Sequence, residues 1–564
     1  MSTQSDTELL EATFDAFWQA APASINPDEI ADAAAELTRS LARQPAVGLR
    51  RMTRMTAEQM RVLAGQSDIT PDKGDRRFAD EWFTSKPVYK ALAQSYLNWN
   101  REIRGMFEDL DLDQKTRLNA NFMLNVALEA AAPTNTLLGN PAALKEAVGT
   151  KGKSLVQGLR NAVDDMKNNG GMPKMVDSEP FVLGETVAAT PGAVVYRDEI
   201  LELIQYTPTT AKVRQRPMVV VPPQINKFYI LDLAPGRSLV EHLVNQGQQV
   251  FMISWRNPQP EHREWDLDDY ITSITAATDA AMSIAGTSDL NMLGVCAGGI
   301  TASTAQAYFA AKGDNRIRSA SYLVTVLDWD VPSPVGSIMS APMIELARTS
   351  SESSGVLSGE ELAKLFAWLR PNDLIWNYWA NNYLMGKKPP AFDVLSWNCD
   401  ATNMPAGLHH DFLDIAEGNT LTKANETVVL DTPLDLQKVD CPSYVVGAIT
   451  DHITPWKACY ETVNILGGES EFVLSSQGHI QALVNPSGNP KGKYFTNTHT
   501  PQSADEWEAG ATEHQGSWWD HWATWLDGHG GRKVNAQPEL GNTQYPVGDP
   551  APGMYVHECA SLSK

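Results

Sequence analysis

The sequence predicts an α/β protein with a mostly parallel sheet, preceded by a mostly helical N-terminal region. From about residue 186 onward, short runs rich in β-branched residues alternate with segments of helical periodicity. This alternation is typical of parallel sheets covered by helices. Before that point, apolar residues recur at helical spacing instead. The predicted strands are "GAVVYR", "LELIQY", "PMVVVPP", "QQVFMISW", "LNMLGV", "SASYLVTVL", "CPSYVVGAI" and "SEFVLSS".

The N-terminal region has the start signals and the spacing of amphipathic helices. In "NPDEIADAAAELTRSLARQP", Asn26 can cap a helix and Pro27 suits its first turn. Helical patterns follow in "PVYKALAQSYLNWNREI" and "AALKEAVGTKGKSLVQGLRNAVDDM", until the glycines and proline of "NNGGMPKMVD" interrupt them. We therefore place a helical N-terminal region at 1–185 and a catalytic domain at 186–564.

A long insertion separates two of the predicted strands. About a hundred residues lie between "YLVTVLDWD" and "CPSYVVGAI", far more than an ordinary connection, which predicts a cap or lid over about 331–438. Its aromatic side chains either form a core within the cap, which we favour, or an apolar surface for a partner. These are Trp368, Trp376, Trp379 and Tyr383. Near the C-terminus, "GSWWDHWATWLDGHGG" predicts a last amphipathic helix.

Composition and charge exclude several classes of function. The 564 residues carry a formal net charge of -23, which argues against nucleic-acid binding. No apolar run is long enough for a transmembrane segment, and the N-terminus lacks the pattern of a signal peptide, so we expect a cytoplasmic protein. The five cysteines are scattered, without the spacing of a disulfide framework or zinc site. We expect no metal and no cofactor.

One motif points to covalent catalysis. "GVCAGG" follows the apolar run "LNML" and precedes the helical "ITASTAQAYFAA". This is the strand, sharp turn and helix of a nucleophile elbow, with Cys296 where G-x-S-x-G has serine and with Gly294 and Gly298 giving the turn room. The motif alone also fits a buried, inert thiol beside a packing turn. As an elbow, it predicts an α/β-hydrolase fold.

Two later strands end at residues that complete a triad in the expected order. Asp451 follows "YVVGAIT", and His479 comes just after the next predicted strand. His479 would take the proton of Cys296, and Asp451 would orient the imidazole and stabilise its charged form. His452, beside Asp451, is interpreted as structural, with a second base as the open alternative.

Backbone N–H groups are the expected stabilisers of the tetrahedral intermediate. In this fold the residue after the nucleophile supplies one donor, here Ala297, and a loop near the first parallel strands supplies another. We place the second donor at Ile225, in "VVVPPQINKFY".

Transfer of an acyl group from a thioester to a cysteine exchanges one thioester for another, so the acyl group stays activated. The cysteine therefore favours an acyltransferase with thioester donors over a lipase.

At this point the sequence resembles the polyhydroxyalkanoate synthases, which polymerise 3-hydroxyacyl-CoA into storage polyester. The similar segments are "DRRFAD", "NNGGMP", "VVPPQINKFYILDL", "SWRNP", "GVCAGG", "RPNDLIWNYW", "DHITPW", "GHIQALVNPSGNPK" and "SWWDHW". The resemblance implies the same nucleophile, acid and histidine. Chain length and two of these motifs are most similar to the class II members, which prefer medium-chain monomers. Thr325, Gln477 and His452 are candidate residues of the acyl pocket, and from the first two we hypothesise acceptance of mixed or shorter chains.

The resemblance also implies partners and a location. They are the 3-hydroxyacyl-CoA substrate, the growing polyester chain, a second copy in a homodimer, and the surface of the cytoplasmic storage granule. The N-terminal region is implicated in the last two. Two alternatives remain at this point: a cysteine hydrolase, such as an acyl-CoA thioesterase or a dienelactone-type hydrolase, and a granule-surface scaffold without activity. The intact set of Cys296, Asp451 and His479 argues against the scaffold.

Overall fold

The computed structural model describes residues 38–112, 114–331 and 341–559. The helix predicted at the start of the chain, over 26–45, lies mostly outside these residues. By their contacts, the residues form two compact units, which are described separately below.

The first unit is helical and combines the chain up to Asp177 with the segment Ala363–Phe392. That segment belongs to the predicted insertion, but it packs in the same unit as the N-terminal helices. Capping signals of the sequence start several of these helices; for example, the Asn140 side chain accepts the N–H of Ala143. The helices are α1 (Pro45–Leu63), α2 (Trp82–Ser85), α3 (Pro87–Asp109), α4 (Gln114–Ala130), α5 (Pro141–Gly149) and α6 (Lys153–Asn168).

The aromatic residues of the insertion are core residues of this first unit. Trp368, Trp376 and Trp379 are buried together with Val126 of helix α4. Tyr383 is half-buried beside them, and its hydroxyl donates to Asp165 at 2.9 Å. The chain around these residues is π-helical over Asn372–Trp376 and Trp379–Leu384. Of the two interpretations given by the sequence, the core is the one that the structure shows.

The second unit is built on a ten-stranded sheet. Its strand order is β1-β2-β4-β3-β5-β6-β7-β8-β9-β10. The six strands from β4 to β8 in this order are parallel, and two antiparallel strands flank them on each side. The strands are β1 (Gly192–Arg197), β2 (Leu201–Tyr206), β3 (Pro217–Val221), β4 (Gln249–Trp255), β5 (Leu290–Val295), β6 (Ile317–Leu323), β7 (Ser443–Ala448), β8 (Ser470–Ser475), β9 (Lys493–Thr496) and β10 (Thr512–Gln515).

The eight strands predicted from the sequence all form, and they are β1 to β8. The mostly parallel sheet is thus confirmed. Strands β9 and β10 were not predicted, because they are short and half-exposed and lack a period-two pattern of apolar residues. Their pairing depends on the neighbouring edge of β8, which local sequence does not encode.

Helices cover both faces of the sheet. In β3, Val219 and Val221 point into one core, whereas Met218 and Val220 point into the other, as the alternation of a strand requires. The predicted C-terminal helix is confirmed as α18. The helices that begin in this unit are α7 (Leu239–Asn245), α8 (Leu267–Ala285), α9 (Ala297–Ala311), α10 (Ala341–Ser354), α11 (Gly359–Leu369), α12 (Asp393–Cys399), α13 (Ala406–Gly418), α14 (Trp456–Tyr460), α15 (Thr462–Ile465), α16 (His479–Leu483), α17 (Ala504–Ala509) and α18 (Trp518–His529).

Candidate active site

Cys296 occupies a strained turn between strand β5 and helix α9. Strand β5 is buried along its whole length and ends one residue before Cys296, and α9 starts one residue after it. Cys296 has φ 51° and ψ −123°, a conformation that side chains other than glycine rarely adopt. Its N–H donates to the carbonyl of Leu323 at 2.9 Å, and its own carbonyl accepts the N–H of Gly299 at 2.9 Å. The turn therefore presents the half-buried thiol at the carboxyl edge of the sheet.

The glycine after the nucleophile is required by a close approach of two backbones. A Cβ at Gly298 would lie 2.3 Å from the carbonyl oxygen of Pro222 and 2.4 Å from that of Val221. Gly294 is similarly confined, because its Cβ would lie 2.7 Å from the Cα of Gly299. The elbow thus packs directly against the end of strand β3, which leads into the loop predicted to carry the second oxyanion donor.

We expect Gly298→Ala to destabilise the enzyme by about 2 kcal/mol or more, because backbone atoms cannot move aside for the added methyl group. Denaturant unfolding monitored by tryptophan fluorescence measures this. Gly528→Ala is the matched control, since a Cβ there meets no atom within 4 Å. Equal stability of the two variants would contradict the close approach at Gly298.

Asp451 and His479 form a buried hydrogen-bonded pair just after the ends of strands β7 and β8. His479 Nδ1 lies 2.7 Å from Asp451 Oδ2. The other carboxylate oxygen, Oδ1, accepts the N–H groups of Ile453 at 2.8 Å and Thr454 at 2.9 Å. Burial raises the pKa of the Asp451 carboxyl, but the charge of His479 and these hydrogen bonds outweigh burial and hold that pKa below its usual range. Asp451 is therefore a carboxylate at neutral pH.

His479 connects this carboxylate to the candidate nucleophile. With Nδ1 bound to Asp451, Nε2 is the ring nitrogen left to face the Cys296 thiol, which is near enough to influence the pKa of the imidazole. Burial lowers the pKa of the His479 imidazole, but Asp451 and Cys296 outweigh burial and raise that pKa above its ordinary value. The imidazole can thus hold a proton taken from the thiol. The structure brings together the three residues that the sequence predicted as a triad.

Thr454 is a further residue of this cluster that sequence reasoning missed. Its hydroxyl donates to Asp451 Oδ2 at 2.8 Å and lies 3.0 Å from His479 Nδ1. The same carboxylate oxygen therefore accepts from both side chains, and Thr454 fixes its position. The sequence did contain a signal for Thr454. It lies three residues after Asp451, and this spacing suits a turn in which the aspartate carboxylate accepts backbone N–H groups.

We expect Thr454→Val to slow catalytic turnover by about tenfold. Valine keeps the shape but removes a hydrogen bond to a charged oxygen, worth about 1.5 kcal/mol. Thr454→Ser keeps the hydroxyl and should retain most of the activity. A valine variant as fast as the serine variant would show that the hydroxyl has no part in orienting Asp451.

The two predicted oxyanion donors belong to different elements, the helix that follows Cys296 and the loop that follows strand β3. Ala297 is the first residue of helix α9, where N–H groups are not used by the helix itself. Ile225 lies half-buried in the loop that follows strand β3, next to Asn226, which has φ 63°. The close packing of Gly298 on the carbonyls of Val221 and Pro222 joins this loop's start to the elbow.

Thr325 is completely buried behind the elbow. Its hydroxyl donates to the carbonyl of Leu323 at 3.2 Å and lies 3.4 Å from the carbonyl oxygen of Cys296. Its side chain also packs on Gly299, where a Cβ would meet Thr325 Oγ1 at 2.1 Å. Thr325 thus contacts the backbone of the nucleophile turn. A larger or smaller side chain at position 325 would therefore change the packing that supports Cys296.

Gln477 and His452 lie in the two loops that carry the acid and the histidine. The carbonyl of Gln477 accepts the N–H of Thr450 at 3.1 Å, which ties the two loops together. Gln477 Oε1 is buried and accepts no hydrogen bond from the described part of the chain. His452 is half-buried and directly follows Asp451.

Among residues 38–112, 114–331 and 341–559, no group of three His, Cys, Asp or Glu side chains could hold a metal ion.

Two family profiles match successive parts of the chain. A family profile for the N-terminus of poly-beta-hydroxybutyrate polymerase matches residues 74–243, and an alpha/beta hydrolase fold profile matches 217–486. The second match, together with the sheet described above, confirms the predicted α/β-hydrolase fold. Among solved structures, a soluble variant of monoglyceride lipase from Saccharomyces cerevisiae, in complex with a substrate analog, is 13% identical, with a TM-score of 0.37; the match covers 62% of this chain and 98% of the lipase.

Curated relatives match almost the whole chain. Poly(3-hydroxyalkanoate) polymerase 1 of Ectopseudomonas oleovorans is 44% identical over 95% of this chain and 95% of its own length. Poly(3-hydroxyalkanoate) polymerase 2 of the same organism is 46% identical over 88% of this chain and 89% of its own. The poly(3-hydroxyalkanoate) polymerase of Methylorubrum extorquens is 39% identical over 89% and 84%. At this identity and coverage, the chain belongs to the poly(3-hydroxyalkanoate) polymerase family.

Proposed function

We propose that this enzyme polymerises (R)-3-hydroxyacyl-CoA into polyhydroxyalkanoate and releases CoA, through an acyl chain carried on Cys296. Family membership supports the polymerase activity. The single structural observation that supports the covalent route is the connected set of Cys296, His479 and Asp451 at the edge of the sheet. A cysteine held in a strained elbow beside a buried histidine and carboxylate is suited to attack a thioester.

In the proposed first step, Cys296 acquires the acyl group. The thiol proton passes to His479 Nε2, and the sulfur attacks the thioester carbonyl. The N–H groups of Ala297 and Ile225 stabilise the resulting oxyanion. When the tetrahedral intermediate collapses, the bond to the CoA sulfur breaks, His479 returns the proton to that sulfur, and CoA leaves as a thiol. Asp451 stabilises the imidazolium throughout.

In the second step, the chain grows by one unit. The 3-hydroxyl of an incoming 3-hydroxyacyl-CoA gives its proton to His479 and attacks the carbonyl of the acyl-cysteine. An oxygen ester forms, the bond to Cys296 Sγ breaks, and His479 returns the proton to that sulfur, which restores the thiol. The product is an elongated acyl-CoA, which acylates Cys296 again and releases the next CoA. Repetition of the two steps yields the polyester.

One experiment separates the candidate functions. Purified enzyme is given 3-hydroxyacyl-CoA, and CoA release is followed together with the solubility of the product. Insoluble polyester is the expected result. A soluble hydroxy acid would instead identify a cysteine hydrolase that passes the acyl group to water, and absence of CoA release would identify a scaffold.

The acyl pocket is proposed to include Thr325 and Gln477, with His452 near it. Gln477 Oε1 is buried in the loop before His479 and accepts no hydrogen bond from the described part of the chain, and Thr325 acts on the pocket through the backbone of Cys296. From these residues we infer acceptance of mixed or shorter monomers. CoA release from four-carbon and ten-carbon 3-hydroxyacyl-CoA should then proceed at comparable rates, and strict preference for ten carbons would refute the inference.

Assembly and location are further parts of the proposal. We infer a homodimer at the surface of the cytoplasmic polyester granule, with the N-terminal region involved in both contacts. Helix α1 supports such a role, because Leu49, Met60 and Leu63 are largely exposed on it. In the described part of the chain, no helix is sufficiently long and apolar to cross a bilayer. Granule association would therefore be tested as binding of the purified enzyme to isolated polyester granules, with loss of binding expected for Leu49→Glu combined with Leu63→Glu.

A further inference from the structure

The loop that carries Ile225 has no regular structure of its own. It runs from Pro222 to Lys227, and its Asn226 has φ 63°. Backbone in this conformation persists only where surrounding contacts fix it. The position of the Ile225 N–H, the proposed second oxyanion donor, therefore depends on what holds the two ends of the loop.

One side of the loop is bound to the nucleophile helix and to helix α12. Gln224 Nε2 donates to the hydroxyl of Thr301 in α9 at 2.9 Å. The carbonyl of Gln224 accepts the Thr402 hydroxyl at 2.9 Å. The carbonyl of Lys227 accepts the indole N–H of Trp397 in α12 at 2.7 Å. The first two contacts hold the backbone of the loop at Gln224, and the Trp397 contact also holds the carbonyl of Lys227.

The other end of the loop is fixed through the side chain of Lys227, which is buried. Its Nζ donates to the backbone carbonyls of Val556 and Glu558, the latter at 2.9 Å. It also pairs with Asp400 Oδ1 at 2.9 Å. An ammonium group has three donors and is costly to bury unless they are satisfied, and these three acceptors satisfy all of them. Lys227 thus joins the loop to the C-terminal segment.

The C-terminal segment is itself fixed to the sheet, independently of Lys227. We call residues 554–558 the C-terminal clasp. The Glu558 carboxylate accepts from Arg256 Nε and from the N–H of Asn257, both at 3.2 Å, just after strand β4. At the other end of the clasp, the carboxylate of Glu202 in β2 accepts the N–H of Tyr555 at 3.1 Å. Because the clasp is bound to strand β2 and to the residues after β4, the two carbonyls that Lys227 binds have a fixed position relative to the sheet.

We propose that Lys227 is a positioning residue for the acyl-transfer reaction, and that the C-terminal clasp acts through it to hold the oxyanion loop in place. This inference rests on the proposed function, since it concerns the donor at Ile225. It assigns a role in catalysis to a segment more than 250 residues from the nucleophile in sequence. Neither Lys227 nor the clasp takes part in the proton transfers.

The test exploits a reaction of Cys296 that forms no oxyanion. Iodoacetamide alkylates a thiolate by substitution at a saturated carbon, so its rate depends on the triad but not on the oxyanion loop. Acylation by an acyl-CoA depends on both. The two rates are measured at Cys296 by mass spectrometry of its peptide, because Cys399 and Cys559 are exposed and also react.

We expect Lys227→Met to slow acylation of Cys296 by about tenfold or more, while the alkylation rate stays within about twofold of wild type. Methionine fills the same space but donates no hydrogen bond. Lys533→Met is the matched control, because Lys533 is exposed in a short strand of the same unit. It should leave both rates unchanged.

Glu558→Ala provides a second, independent variant, which loosens the clasp without altering Lys227. It should slow acylation by about threefold or more, again with normal alkylation, and should add nothing when combined with Lys227→Met. If Lys227→Met does not fold, the selective loss in Glu558→Ala decides. A parallel fall of acylation and alkylation, or unchanged acylation, would overturn the inference. If wild-type enzyme is not acylated at all, the proposed function fails, and this inference fails with it.

Discussion

Cys296→Ala should reduce CoA release from 3-hydroxyacyl-CoA by at least about a thousandfold, to the background rate. In the proposed mechanism no other group accepts the acyl chain, and the remaining thiols are unsuitable. Burial raises the pKa of Cys459 and of Cys441 well above the ordinary range, so these two stay protonated. Cys399 and Cys559 are exposed and have no role in the triad.

The matched variant is Cys296→Ser, which keeps the elbow and a nucleophilic atom. We expect it to fold as wild type and to be slower by about a hundredfold or more, because a hydroxyl is far harder to ionise than a thiol and forms a less reactive ester. Circular dichroism and thermal unfolding verify that both variants are folded. An alanine variant that retained wild-type turnover would exclude Cys296 as the nucleophile.

Asp451→Asn should lower the rate of CoA release by about a thousandfold or more. Asparagine has almost the same shape, but it removes the negative charge that raises the pKa of His479. With a lower pKa, the imidazole is a weaker acceptor for the thiol proton. The alkylation of Cys296 by iodoacetamide should therefore slow at neutral pH, and its pH profile should move upward.

This direction of the pH shift distinguishes the proposed role from a structural one. A carboxylate needed only for folding would change the unfolding temperature, with the alkylation profile of the folded fraction unmoved. Asp505→Asn serves as control, since that carboxylate is exposed and pairs with Lys457. An unshifted profile in folded Asp451→Asn would contradict the assignment of Asp451 as the residue that stabilises the imidazolium.

Much of the catalytic unit could be predicted from the sequence, because buried parallel strands are recognisable as short, mostly apolar runs. Strand β5 is a mostly apolar run that ends at a cysteine in a glycine-rich turn, and Asp451 and His479 each come shortly after a similar run. In a parallel sheet the carboxyl ends of the strands meet at one edge, so order along the chain implies proximity. The 2.7 Å contact between Asp451 Oδ2 and His479 Nδ1 follows from that topology.

What the sequence could not supply depends on contacts between distant segments. Nothing local shows that the Lys227 ammonium binds the carbonyls of Val556 and Glu558, since backbone carbonyls carry no sequence signal. The core around Trp376 was expected within the insertion, but it includes Val126 from an N-terminal helix. The pairing of β9 and β10 is non-local in the same way, because short polar strands are defined only by the edge that they join.

The central claim is that Cys296 carries the acyl chain as a thioester. An acyl-CoA without the 3-hydroxyl group can acylate the cysteine but cannot extend the chain, so the adduct should accumulate. Peptide mass spectrometry of the treated enzyme should then find one acyl group on the peptide that contains Cys296, released by hydroxylamine, with one equivalent of CoA set free. An acyl group on a different residue, or polyester formation with no adduct on Cys296, would contradict the mechanism.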